Sequence, residues 1–241
     1  NLRLVRLTPP SLVDAEDLAV GPCGDDSGRD CLYIADIGDN GQSRESVTVE
    51  LIVEADEFRQ PVDRTRQLRL RYPDGPQDAE ALAVDPRSGD LYVLSKEFAI
   101  LPTLGSPAKL YRLPAEVWKD SGPDELLELE PFGRLDLPAM TLKRNARLSH
   151  VATAMDIRPD GRALLVLTYD HAWEIAWDLA AGPPPPTAEL EYQAIRLELA
   201  LGKESIGWLP DGSGFLQGKE FKPDQEPSVL IRYDCRTPPS Q

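Results

Sequence analysis

Short apolar runs alternate with Pro/Gly/Asp turns along most of the chain, and four of these runs open alike. Each begins with a carboxylate or Thr, continues as a short apolar strand, turns, and returns as a second apolar strand ending in polar residues. The openings are Glu16-Asp-Leu-Ala-Val20, Glu80-Ala-Leu-Ala-Val84, Thr153-Ala-Met-Asp-Ile157 and Glu204-Ser-Ile-Gly-Trp208. The first two copies align without gaps: Pro9, Asp14, Ala15, Glu16, Leu18, Ala19 and Val20 match Pro73, Asp78, Ala79, Glu80, Leu82, Ala83 and Val84 at a constant offset of 64. Such self-similarity marks a repeat architecture, and the repeated piece reads as a β-hairpin. Asp85-Pro-Arg-Ser-Gly-Asp90, Arg158-Pro-Asp-Gly-Arg162 and Leu209-Pro-Asp-Gly-Ser-Gly214 supply the turns, since Pro presets φ and Gly accepts positive φ.

After each of the first three hairpins come two further β-like segments: Ser46 to Val53 and Arg66 to Tyr72, Lys109 to Leu113 and Leu126 to Leu135, Ala172 to Trp177 and Ala194 to Leu199. Four strands per unit is the composition of a propeller blade. The fold class expected is therefore all-β, a β-propeller of four-stranded blades forming one domain over residues 1–241, with repeat units near 14–72, 78–135, 153–199 and 204–233. The last unit has its hairpin and one more segment, Ser228 to Tyr233. Asn1 to Leu7 is expected to supply its outer strand, so that the N- and C-terminal strands close the ring. A stack of sandwiches or an open solenoid is the competing arrangement. Small inner-strand residues (Ala19, Ala83, Gly207) favour strands crowded round an axis. No strong helix is visible, and Pro-rich Gly182 to Pro186 reads as a loop.

Charge and cysteine placement narrow the setting. The 26 Lys and Arg residues face 41 Asp and Glu, a formal net charge of −15, which disfavours nucleic acid and anionic membranes and suits cations or basic partners. No apolar run is long enough to span a membrane as a helix. Asn1 to Leu7 has neither a basic start nor an apolar stretch, so a signal peptide is absent or already removed. Cys23 and Cys31 bracket the turn of the first hairpin; a bridge between them would imply an oxidising compartment, secreted or periplasmic, whereas two unrelated thiols would not. Cys235 is left over on either reading.

Asp14-Ala-Glu-Asp-Leu-Ala-Val20, Tyr33-Ile-Ala-Asp-Ile-Gly-Asp-Asn40, Tyr72-Pro-Asp-Gly75, Asp78-Ala-Glu-Ala-Leu82 and Asp156-Ile-Arg-Pro-Asp-Gly161 resemble the corresponding segments of a group of bacterial, often exported β-propeller proteins. More distantly they are similar to calcium-dependent, lactonase-like propellers. The resemblance implies a propeller and no settled activity. It also implies a further blade before the first repeat, so four blades are readable here and five are compatible with the family.

In a blade the start of the innermost strand and the end of its hairpin partner share one end of the sheet. Glu16 is thereby placed near Asp36, Asp39 and Asn40, Glu80 near Lys96 and Glu97, Thr153 near Tyr169 and Asp170, and Glu204 near Lys219 and Glu220. All four clusters converge on one channel mouth. Carboxylates crowded on one axis must raise a pKa, pair with a base or hold a cation. Two readings follow. Lys96 and Lys219 could pair with Glu80 and Glu204 and merely fix the register of neighbouring blades; alternatively Glu16, Glu80, Glu204 and Asn40 could hold Ca²⁺, which takes six to eight oxygens. Ser149-His150 with Asp156 invites a triad, but no Gly-x-Ser-x-Gly turn frames that serine, and no residue is assigned a catalytic role. The function expected is an exported ligand-binding or interaction propeller whose partner is a small molecule, a cation or a protein. The rival is a Ca²⁺-dependent hydrolase of the lactonase or phosphoester type using the same carboxylates.

Overall fold

The structure is a computed structural model that describes residues 7–8, 12–25, 27–58, 62–99, 102–142, 149–197, 203–219 and 230–235. Four antiparallel sheets stand around one axis as the blades of a propeller. Blade 1 runs outward through Asp17–Pro22, Asp30–Asp36, Val47–Val53 and Arg66–Arg71; blade 2 through Ala79–Val84, Leu91–Ser95, Ala108–Leu113 and Glu130–Leu135. Blade 3 comprises Ala152–Ile157, Leu164–Thr168, His171–Ala176 and Glu191–Arg196, and blade 4 Lys203–Trp208, Gly214–Lys219 and Ile231–Asp234.

Burial follows the neighbours each sheet has. The inner strands of blades 2 and 3 are buried on both faces apart from Asp156, because a blade packs on either side. The inner strand of blade 1 alternates instead, with Leu18 and Val20 on its open face. Three apolar clusters of buried residues fill the seams between blades 1 and 2, 2 and 3, and 3 and 4. Aromatic pairs tie these seams together: Tyr33 meets Trp118 edge-on at 6.2 Å, and Phe132 of blade 2 stacks on Trp177 of blade 3 at 6.1 Å. Trp173 is fully buried in the seam between blades 2 and 3.

Only Leu7 of the outer strand expected for blade 4 falls among the described residues. Residues 1–6 lie outside the described residues, and Leu7–Thr8 pairs in parallel with Val62–Asp63 rather than with Ile231–Asp234. Val62 is buried, so this bridge anchors an apolar side chain of the long loop that precedes Arg66–Arg71. The segment expected as one strand from Leu126 to Leu135 also divides. Leu126–Glu128 lies parallel to Arg66–Arg71 on the outer edge of blade 1, and Glu130–Leu135 continues as the outer strand of blade 2. Two short helices, Ala115–Lys119 and Leu137–Leu142, cap the connections.

Cys23 and Cys31 are joined in a disulfide across the first hairpin, while Cys235 is a half-buried free thiol. Closing so short a loop removes entropy from the unfolded chain worth about 2–3 kcal/mol. Reduction, or the C23S/C31S pair, is therefore expected to lower the unfolding free energy by that amount and the urea midpoint accordingly, measured beside the oxidised protein. An unchanged midpoint would show that the bridge constrains nothing the fold does not already hold.

Candidate functional site

Each inner strand after the first begins with a β-bulge: the pairing register slips between Ala79 and Ala81, between Ala152 and Ala154, and between Lys203 and Ser205. The extra residue is Glu80, Thr153 or Glu204. A bulge turns its extra side chain out of the regular alternation, so the backbone itself aims these three residues at the head of the ring. Glu16 stands just ahead of the first inner strand, where its N–H donates to Ala35 O at 2.9 Å. Gly38 of the Ile-Gly-Asp-Asn segment lies beneath it. A β-carbon at position 38 would overlap Glu16 Oε1 and the Asp14 carboxylate, so that segment contributes a floor for Glu16 rather than a ligand.

The head of the ring is electrostatically one site. Glu16 is pushed up to about 8 by burial first, then by the charges of Glu80 and Asp14, with Glu204 adding to them and Lys96 opposing. Burial likewise raises Glu80 to about 7, although the ammonium of Lys96 hydrogen-bonds its Oε1. Burial works to lower Lys96, but its bond to Glu80 together with the charges of Glu80, Tyr169 and Asp78 leaves Lys96 raised. Asp78 is raised by burial against the hydrogen bond it accepts from Asp39 N. Tyr169, raised by burial, is in hydrogen-bond reach of Lys96 and feels Glu80 and Glu204. Thr153 Oγ1 is buried and has no hydrogen-bond partner among the described residues.

Beside these groups is a cavity of ≈ 440 Å³ bordered by Asn40, Gln42, Asp78, Lys96, Glu97 and Tyr169, with the exposed ring of Phe98 at its lip. Gln42 has φ of 47°, a left-handed conformation that costs energy in a residue other than Gly and is found disproportionately at ligand sites. Glu97 accepts from Ser95 Oγ at 3.0 Å.

Other expected members of the mouth are engaged elsewhere. Asp36 accepts from the backbone N–H groups of Val13 and Asp14 and pairs with Arg44 at 3.0 Å, which pins the segment leading to Glu16. Asp39 closes its own turn by accepting from Ser43 N and Arg44 N, both at 2.7 Å. Asp170 accepts from Ser149 Oγ, which also lies 2.8 Å from His171 Nδ1. Lys219 is exposed and stands opposite Lys203 in the register of blade 4; Glu220 lies outside the described residues. Ser149 is therefore grouped with Asp170 and His171 and not with His150 and Asp156. His150 contacts Ala99 O through Nε2 at 2.8 Å. Ser149 is fully buried, and Asp170 Oδ1 meets both the hydroxyl and the same ring nitrogen of His171, so the geometry is a lock on the blade-3 turn and not a nucleophile with a base behind it.

Two carboxylates that the repeat pattern did not single out hold the axis below the mouth. Each inner strand has only one partner within its sheet, so its other edge presents unpaired N–H groups. Asp17 accepts from Leu18 N at 2.8 Å, from Leu82 N of blade 2 at 2.9 Å and from Met155 N of blade 3 at 3.2 Å. Asp156 accepts from Ile157 N at 2.8 Å and from Trp208 N of blade 4 at 2.7 Å. Burial holds Asp17 well above the usual carboxylate range and raises Asp156 to about 6, in both cases against the N–H bonds. A readable clue existed. Asp17 replaces a residue that is Ala81, Ala154 or Ser205 in the other repeats, and Asp156 one that is Ala19, Ala83 or Gly207.

The donor set does not make a Ca²⁺ cage. An ammonium occupies Glu80 Oε1, and among the described residues no three His, Cys, Asp or Glu side chains are disposed to hold a metal ion. No described helix is long and apolar enough to cross a membrane. Four sheets around an axis, bridged at its waist by the carboxyl groups of Asp17 and Asp156, define the chain as a four-bladed β-propeller. No family model and no curated protein matches it. Among solved structures it is similar to the hydrazine synthase of Kuenenia stuttgartiensis, at 15% identity and a TM-score of 0.44, over 97% of this chain and 48% of that one. It is also similar to the Dos1 propeller, at 10% identity and a TM-score of 0.41, over 85% of this chain and 42% of that one. The chain thus spans less than half the length of either.

Proposed function

We propose that the protein is an exported ligand-binding propeller of the bacterial group it resembles, and that its acidic mouth takes a positively charged group of a small molecule or protein. The observation that carries this reading is the mutual electrostatic influence of Glu16, Glu80 and Glu204, with the Lys96 ammonium bonded to Glu80, beside an open cavity. Glu16, Asp78 and Glu80 act on the Lys96 ammonium, and Asp14 and Glu204 add to the negative field at Glu16. A cation entering the mouth would favour the ionised form of Glu16 and Glu80 and expel their protons. The disulfide at Cys23 and Cys31 supports an oxidising compartment.

Calorimetric titration with spermidine at pH 7.5, in buffers of different ionisation enthalpy, tests the reading. Saturable binding with release of a fraction of a proton is expected, and Glu16→Gln should remove most of that release. Absence of binding by spermidine and by an oligo-arginine peptide alike would sink it. Ca²⁺-dependent turnover of a lactone or an aryl phosphate that disappears in Glu16→Gln would replace it with the hydrolase reading.

A further inference from the structure

Toward the pole opposite the mouth the four inner strands carry equivalent residues, Val20, Val84, Ile157 and Trp208; the last three end their strands, and the first strand runs on to Pro22. Two positions later each repeat carries a proline, Pro22, Pro86, Pro159 or Pro210. All eight border a cavity of ≈ 480 Å³. Its volume falls within the usual range of small-molecule sites. Proline has no N–H to leave unpaired, so a wall built from prolines and aliphatic side chains presents few backbone donors to the cavity.

Three features give this cavity a chemical preference. Leu18 and Val20 line it while remaining 51% and 46% exposed, so an apolar surface stands open to water there. Among the described residues its ionisable lining is acidic, with Asp156 in the wall, Asp30 and Glu54 at the rim, and no Lys or Arg. Each Asp156 oxygen accepts one backbone N–H, which leaves further lone pairs to offer. The indole Nε1 of Trp208 is buried and has no hydrogen-bond partner among the described residues, a donor whose desolvation is uncompensated.

We propose that this pole is a second binding site, for a small hydrophobic cation that also carries a hydrogen-bond acceptor. The apolar body would cover Leu18, Val20 and the prolines. The cation would face Asp156 and the acidic rim, over the Trp208 ring, and the acceptor would take the Trp208 indole N–H. Asp17 lies at the waist between this site and the mouth, so the two sites have separate walls.

The test uses the intact protein and follows the Trp208 indole N–H resonance by ¹⁵N NMR, assigned with Trp208→Phe. Phenylalaninamide, which has a ring, an ammonium and a carbonyl, is expected to shift that resonance saturably at about 1–10 mM, the range open to a ligand of its size. N-acetylphenylalaninamide, lacking the charge, should bind at least about fivefold more weakly, and added salt should narrow the gap. Asp30→Asn with Glu54→Gln, both exposed, should weaken the cationic ligand about threefold without altering the fold. Glu16→Gln at the other pole should leave its affinity unchanged. No shift of the Trp208 resonance, equal affinity for the acetylated compound, or loss of binding in Glu16→Gln would each overturn the assignment.

Discussion

Replacing Asp17 with Ala is expected to lower the stability of the protein by about 3–5 kcal/mol, more than any single change at the mouth. The substitution removes the shared acceptor of Leu18 N, Leu82 N and Met155 N, leaving N–H groups from three blades facing a dry axis. Each orphaned donor costs about 1–3 kcal/mol, and removal of the buried carboxyl itself recovers part of the total. Asp17→Asn should cost less, about 2 kcal/mol, because one oxygen still accepts while the new amide hydrogens point at donors. Urea titration followed by tryptophan fluorescence at pH 7 measures both. If Asp17→Ala unfolds within 1 kcal/mol of the parent, roughly one surface pair, the axis is held by packing alone.

Stability should also decline as pH rises from about 4.5 to about 8.5. Glu16 and Glu80 have folded pKa values of about 8 and about 7, and Asp156 of about 6, all above the ordinary carboxyl value near 4. In that window the unfolded chain has released protons that the folded chain still holds, so deprotonation favours unfolding. The contribution is complete below the unfolded pKa and is lost as pH passes each folded value. Asp74, Asp160 and Asp178 are lowered by their partners and act in the opposite sense, but only as pH falls below about 4. Glu16→Gln should therefore melt like the parent at pH 5 and be more stable than it by about 1–2 kcal/mol at pH 8.5, after allowance for the partial exposure of Glu16. Thermal melts across this range decide the matter, and a variant no more stable at pH 8.5 would mean that Glu16 is ionised without strain.

What the sequence revealed and what it hid have physical causes. The blades were legible because a hairpin repeats its apolar alternation and its Pro/Gly turn locally, within about 20 residues, and both are written in the chain. Glu16, Glu80, Thr153 and Glu204 were legible as one site because they share a repeat position. The bulges that aim three of them were not, since a single slipped register leaves no mark in composition. The hydrogen bonds of Asp36 and Asp39 were not legible, because a carboxylate at a strand end reads the same whether it faces a channel or accepts from Arg44 and from turn N–H groups. Asp17 and Asp156 were overlooked for a related reason. Their partners are backbone groups of other blades, which no side-chain motif records, and only their departure from small residues in the other repeats betrayed them.

The path of the chain through Leu126–Glu128 bears on how the molecule comes together. In most arrays of repeats each unit meets its neighbours through side chains, so units can form or come apart nearly one at a time. Here the connection from the third strand of blade 2 first lays a strand on blade 1 and only then completes blade 2 with Glu130–Leu135. Blade 1 therefore lacks its outermost strand unless residues 126–128 of the following unit are in place. Backbone hydrogen bonds stitch the two blades into one block, so losing either is expected to cost the other a strand.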